Sequence, residues 1–337
     1  MNATVEDVEK TGAMRRGWTV RSFATTYASQ IGITVAFVVL WVAFIVLAPD
    51  TFLDNRIYVS FAQTTPYFAL PALLLTMVIV SGDIDLSFPS IMGLGMVGFV
   101  AVERTTGSPE LAVLAALAVG AMAGLLNGLI VTIIGIPALV ATIATQFLYR
   151  GLTLALVSGK SYALVEARDS TAFRILDGRL LGIPMQFVWL VLVAIGTWML
   201  LFRHRLGQNG HVIGDNRPAA QLMGIPIRST RTIMFVLVGV ASALAGAMQS
   251  LQVSNFYPGV GAGYLLPALA AVFVGGTSVF GGRGTVWGTF IGAFMIGAIQ
   301  AGIVAMGVAA YWTEVIYGGI ILAAVSIHAV LQRRFER

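Results

Sequence analysis

Leu190-Val191-Leu192-Val193-Ala194-Ile195-Gly196-Thr197-Trp198-Met199-Leu200-Leu201 carries no charge and no alternation of polar with apolar side chains. A membrane barrel strand alternates lipid-facing apolar and lumen-facing polar residues over roughly ten positions, so this run is not one. It is apolar all round, as a helix with closed internal hydrogen bonds in hydrocarbon must be. Outward from it, the apolar stretch reaches back to Pro184 and ends before Arg203. That is close to the roughly 20 residues that cross a bilayer.

The same reading along the chain predicts spans at 29–48, 57–80, 87–103, 111–133, 138–157, 184–202, 232–253, 264–280, 285–306 and 310–331. The expected fold is an all-α polytopic membrane protein with about ten transmembrane helices. Only 10% of the 337 residues are charged, against about 25% in soluble domains, and this excludes an ordinary soluble enzyme. With no cysteine, disulfides and thiol chemistry are excluded, and three scattered histidines argue against a histidine-built metal site.

The net charge of +5 is not gathered on one motif or tail, so it speaks to topology and not to nucleic acid. With both termini inside, the inner segments hold 13 basic and 7 acidic residues, and the outer segments 7 of each. This positive-inside bias predicts a retained cytoplasmic N-terminal tail (1–28), a transmembrane domain (29–331) and a cytoplasmic C-terminal tail (332–337). Two loops are long: an outer one at 158–183 and an inner one at 203–231.

An internal repeat is also expected. Leu70-Pro71-Ala72-Leu73 recurs as Leu266-Pro267-Ala268-Leu269, and Gly82, Ser90, Gly93, Met96 and Gly98 recur as Gly281, Thr289, Gly292, Met295 and Gly297. Parallel repeats of this kind place a transport path between their halves.

Two motifs imitate nucleotide sites. Gly93, Gly95 and Gly98 match the dinucleotide spacing but lie inside an apolar span, where small residues serve helix packing. Gly159-Lys160-Ser161 ends like a phosphate loop, yet Leu154 stands where its first glycine belongs. The chain is therefore expected to bind no cofactor itself.

Uncharged polar residues within spans suit a neutral polyhydroxylated solute. The pathway candidates are Gln63, Thr64, Asn127, Thr145, Gln146, Gln249 and Asn255, with Gln252 nearby and Phe256 among the aromatic residues available to cover a ring face. Each has hydrogen bonding between helices as its plain alternative. Glu314 is the sole acid of the last span and the one candidate for proton coupling, although its place in the first turn also suits the helix dipole.

In the inner loop Asn216 can cap a short helix, Pro218 fits its first turn, Gly224 can end it and Pro226 stops it. The helix, Arg217 to Met223, is expected to present Ala219, Ala220, Leu222 and Met223 to a cytoplasmic partner.

At this point three blocks resemble the permease subunits of ribose-type ABC sugar importers. SGDIDLSFPS (81–90) is similar to the family's Gly-Gly-Ile-Asp-Leu-Ser block through Gly82, Ile84, Asp85, Leu86 and Ser87, with Asp83 inserted or replacing. VIGDNRPAAQLMGI (212–225) resembles its coupling segment at Gly214, Asn216, Ala219, Ala220, Gly224 and Ile225, with Asp215, Arg217, Leu222 and Met223 alongside. ALAAVFVGGTSVFGGRGTVWGT (268–289) is the most specific, and it includes the turn Gly281-Gly282-Arg283-Gly284. Leu265, Leu266 and Pro267 stand where many members have Glu-Leu-Asp, so sugar identity is not carried over.

The resemblance implies a non-enzymatic transport subunit in the bacterial inner membrane. Its implied partners are a second permease chain, a cytoplasmic ATPase holding ATP-Mg, a periplasmic or extracellular binding protein and membrane lipid, with no nucleic acid. The alternatives are an ion-gradient-driven transporter, which would need Glu314, and a membrane-embedded enzyme, for which no cluster of His, Asp or Glu at one depth is seen.

Overall fold

Helices make up most of residues 28–309 and 311–335, the residues that the computed structural model describes. The predicted tail at 1–28, Ala28 apart, and residues 336–337 of the C-terminal tail lie outside them.

The first half runs α1 (Ala28–Leu47), α2 (Pro49–Phe52), α3 (Asn55–Thr64), α4 (Pro66–Val80), α5 (Phe88–Thr106), α6 (Pro109–Leu129) with a π turn at Ile130–Ile134, and α7 (Ala138–Leu156). The expected outer loop is folded: β1 (Tyr162–Ala163), a 3-10 turn at Val165–Asp169, α8 (Thr171–Leu176), β2 (Arg179–Leu180) and β3 (Ile183–Pro184). The second half holds α9 (Met185–Phe202), α10 (Arg205–Asp215), α11 (Arg217–Leu222), α12 (Ile227–Gln252), β4 (Asn255–Phe256), α13 (Leu265–Val274), α14 (Val286–Ala305) and α15 (Trp312–Phe335). The four two-residue strands form two antiparallel pairs, β1 with β4 and β2 with β3.

Local chemistry sets many boundaries. Ser108 accepts from Leu111 N to cap α6, and Thr285 accepts from Gly288 N to cap α14. Gly107, at φ 68°, closes α5 in the left-handed conformation that costs glycine nothing.

Among the described residues six helices are long and apolar enough to span a bilayer: α1, α6 with its π turn, α7, α9, α12 and α14. A seventh span results if α3 and α4 count as one helix bent by 50°. The bend falls at Thr65-Pro66, where proline removes a backbone donor. The span expected at 264–280 is corrected to a helix of only ten residues, α13. It stops because Gly275 packs against the backbone of Gly288 and Gly276 turns at φ +85°. α5 is long but ends in Glu103-Arg104-Thr105-Thr106, and the apolar part of α15 covers Trp312–Ser326.

The centre of the bundle is α12, which packs on α6, α5 and α4, while α13 lies between α14, α15 and α4. Gly120 of α6 and Gly239 of α12 face each other's carbonyl oxygens so closely that neither site admits a Cβ. Small residues let membrane helices pack by van der Waals contact, because burial from lipid offers little drive. Gly95 likewise meets Ala243, and Gly98 meets Val119, so the false dinucleotide motif is a packing face.

Candidate functional site

The connections gather in two groups at opposite ends of the helices. In the group read as inner, the C-terminal end of α10 meets both glycine turns of the expected repeat. Gly82 and Gly281 adopt φ of 83° and 87°, conformations that favour glycine. A Cβ on Gly281 would stand 3.1 Å from Gly82 Cα and 3.0 Å from the carbonyl oxygen of Gly214. A Cβ on Gly214 would stand 2.6 Å from Gly282 N and would collide with the Val80 carbonyl oxygen. That oxygen accepts from Gly282 N at 2.9 Å, and the imidazole Nδ1 of His211 lies 2.8 Å from Gly282 O. Asp215 lies against Gly282, Gly284 against Val80, and Arg283 is exposed.

From this junction the chain passes directly into α11. Asn216 Oδ1 accepts from Ala219 N at 3.0 Å, Gly224 turns at φ 71°, and Ile225 N donates to Ala220 O at 3.1 Å. The cap and stop expected from the sequence are therefore formed. The presented surface is corrected in one respect: Leu222 is 91% exposed and Met223 69%, but Ala220 is fully buried. Ala219 is half-buried. The apolar surface that α11 exposes is thus the Leu222-Met223 pair, while Ala220 anchors the helix from beneath.

Sequence reasoning missed two parts of this end. The first is α10, whose buried Leu206, Gly207, Gly210 and Ile213 follow helical spacing. Its glycines and polar residues disguised it as loop. The second is Asp83, treated as an insertion or a replacement. Asp83 is 5% exposed and accepts from Arg231 Nε at 2.5 Å and from Arg231 Nη2 at 2.6 Å, while Arg231 itself is 7% exposed. Arg217, the first residue of α11, reaches the same carboxylate at 3.6 Å. Three segments thus share one carboxylate: the α4–α5 turn, α11 and the start of α12.

Deeper in the chain, Asp85 Oδ1 accepts from Ser87 N at 2.8 Å and from Ser87 Oγ at 2.7 Å. Burial pushes the Asp85 carboxyl above its ordinary range, against the hydrogen bonds from Ser87 and Asn127. Asn127 Nδ2 donates to Ser87 Oγ at 2.7 Å, and the Tyr149 hydroxyl donates to Asn127 Oδ1 at 2.9 Å. Asn127 therefore sits in a buried polar chain from the α4–α5 turn through α6 to α7. Thr145 is buried too and donates to Thr142 O at 3.3 Å.

The opposite, outer end collects the segments around 108–110, 158–183 and 254–264. Glu110 Oε1 accepts from Thr171 N at 3.0 Å, and Leu164 N donates to Ser254 O at 2.9 Å. Asn255 pairs with Ala163, and buried Phe256 stacks on Tyr162. Beneath them Gln186 donates to Asp177, and Tyr67 donates to Gln252. Burial pushes the Asp177 carboxyl up to about 6, opposed by the Gln186 hydrogen bond and the Arg168 charge.

Two cavities lie toward this end. One of about 770 Å³ is walled by Thr64 and Thr65 at the α3–α4 bend, by Gln300 of α14 and by Glu314 and Tyr317 of α15. The other, of about 100 Å³, is lined by Ser90, Gln146, Arg150 and Thr153. Of the pathway candidates, Thr64 and Gln146 line these cavities. Gln63 is half-buried on α3, and Gln249 Oε1 is buried on α12 with no hydrogen-bond partner among the described residues. The structure thus distributes the candidates over several places and does not gather them in one site.

Residues 57–325 match the family described as the permease component of the branched-chain amino acid transport system. The ribose import permease protein RbsC of Escherichia coli (strain K12) is 32% identical over 309 residues, covering 91% of this chain and 96% of that one. The autoinducer 2 import system permease protein LsrC of Enterobacter sp. (strain 638) is 33% identical over 290 residues, 84% and 83% of the two chains. The ribose import permease protein RbsC of Bacillus subtilis (strain 168) is 32% identical over 254 residues, 75% and 78%.

Proposed function

The chain belongs to the permease subunits of ribose-type ABC importers, and on that premise we propose that it forms half of a membrane pathway for a neutral sugar or polyol. It is a multi-pass membrane protein and a transport component, not an enzyme. The family implies an ATPase and a solute-binding protein as partners. In this reading ATP-Mg is held and hydrolysed by the ATPase in the cytoplasm, the binding protein delivers solute from the periplasm, and a second permease chain completes the path in the inner membrane. The ribose named for two of the relatives is a neutral sugar, of the class proposed.

The same reading has ten crossings, with both termini in the cytoplasm. The clustering of turns supports it, since three connections assigned inside by charge, the 81–87 turn, the 203–231 segment and the turn at Gly281-Gly282, meet one another. The repeat is supported by the parallel order of its halves, α4, glycine turn, α5 and then α13, glycine turn, α14. Energy from ATP leaves Glu314 without a required proton-carrying role.

The observation that carries the proposal is α11: a capped two-turn helix that exposes Leu222 and Met223 and is rooted in the junction of Gly82, Gly214 and Gly281. An ATPase closing on ATP would push this apolar pair. Through Arg217 and Asn216 the push would reach both glycine turns, moving the halves as rigid units about the path. Because the native chain has no cysteine, Leu222→Cys provides a unique crosslinking site. Crosslinking in native membranes should capture an ATPase subunit, and Arg56→Cys at the outer end should not. Capture of no ATPase at Leu222→Cys, from a chain that still folds, would overturn the docking assignment.

A further inference from the structure

The 770 Å³ cavity at the α3–α4 bend lies within the roughly 300–1,000 Å³ range of small-molecule sites. Its wall holds a feature that packing alone does not require. Thr65 is 1% exposed, and its Oγ1 has no hydrogen-bond partner among the described residues. A buried hydroxyl left without a partner costs on the order of 1–3 kcal/mol, so a ligand that pairs with it is favoured. Gly297 of α14 lies close against it, where a Cβ would stand 2.9 Å from Thr65 Oγ1. Thr64, Gln300, Glu314 and Tyr317 offer hydroxyl, amide and carboxylate groups around the same space, and Phe61 and Phe68 add aromatic surface. Discontinuous helices commonly border solute sites in transporters, and the 50° bend of α3 and α4 is such a break.

We propose that this cavity is an outer solute chamber, in which a neutral sugar or polyol donates a hydroxyl to Glu314 or Gln300 and pairs with Thr65 Oγ1. The inference rests on the permease reading above. A lipid acyl chain in the same place would leave Thr65 Oγ1 without a partner and would face the Glu314 carboxyl. The lining holds Glu314 and no Lys, Arg or His that would attract an anion.

The test uses the full chain in membranes of its host, together with its own partners. Thr64→Cys and Gln300→Cys should react with a charged, membrane-impermeant thiol reagent added from outside, whereas Val39→Cys on the exposed apolar face of α1 should not. D-ribose, D-glucose and D-sorbitol are then titrated separately. At least one should slow both reactions, by about tenfold at ten times its dissociation constant, as single-site occupancy requires. Gly297→Ala, which narrows the space at Thr65, should weaken that protection while leaving both cysteines reactive. Labelling of the denatured protein establishes that each thiol is present. Cysteines reached only by a lipid-soluble maleimide would make the cavity a lipid crevice, and reactive cysteines protected by none of the three solutes would equally overturn the proposal. An ATPase captured at Leu222→Cys without any protection here would sink this inference alone. Protection without an ATPase would keep the chamber and sink the docking assignment.

Discussion

Replacing Asp83 by asparagine removes one charge from a pair that is buried on both sides. Arg231, 7% exposed, would keep its guanidinium with no counter-charge, whereas Arg217, whose side chain is 46% exposed, would turn to water. Leaving one partner of a buried ion pair uncompensated costs about 3–5 kcal/mol, and loss of the exposed arm costs about 0–1 kcal/mol. The buried arm therefore decides the outcome. At about 2–4 °C per kcal/mol for a large domain, Asp83→Asn should lower the melting temperature in mild detergent by roughly 6–20 °C, and Arg217→Ala by about 4 °C or less. Asp83→Ala combined with Arg231→Met removes both charges and should recover much of the loss, since an apolar pair avoids the desolvation cost. Stability and coupling then separate. The double variant, measured for ATP-driven import in proteoliposomes containing the assembled importer, should remain impaired because α11 has lost its tie to the α4–α5 turn. An Asp83→Asn protein that melts within about 2 °C of the parent, or a double variant no better than the single, would refute the claim that this pair is a buried, shared anchor.

Gly214→Val should abolish ATP-driven import, because its side chain would enter the space of the Val80 carbonyl and Gly282 N. Crosslinking at Leu222→Cys in the same background, compared with a transport assay, shows whether docking survives without coupling. Asn127→Ala should destabilise the chain by about 1–3 kcal/mol, read as a lower melting temperature, because the Ser87 and Tyr149 hydroxyls each lose a buried partner. For Asp177 the folded state holds its proton up to about pH 6, against an ordinary value near 3.8. The folded chain thus binds more protons than the unfolded chain between these values, and stability present below about 3.8 is lost as pH rises through about 6. The melting temperature of the parent should fall across that window, and Asp177→Asn should flatten the profile. An unchanged slope in the variant would remove Asp177 as its source.

What could be read from the sequence was what the bilayer or the local backbone dictates. Leu190–Leu201 had to be helical because hydrocarbon offers no partner for an open backbone. The caps of α11 were legible for a different reason: Asn216, Pro218, Gly224 and Pro226 act on their own neighbours. The charge pattern sorted the turns into two sets because Lys and Arg in short loops respond to the membrane itself. Tertiary structure decided the rest. Asp83 and Arg231 are 148 residues apart, and no local pattern announces their pairing. α13 stops short because Gly275 meets the backbone of a different helix, and Arg217 at the start of α11 meets Asp83 of the α4–α5 turn, 134 residues away. The chamber exists only where α3, α4, α14 and α15 converge, with Gly297 opposite Thr65 across 232 positions of sequence. Composition and local chemistry act within a few residues, while a site is made by contacts between segments that only the folded chain brings together.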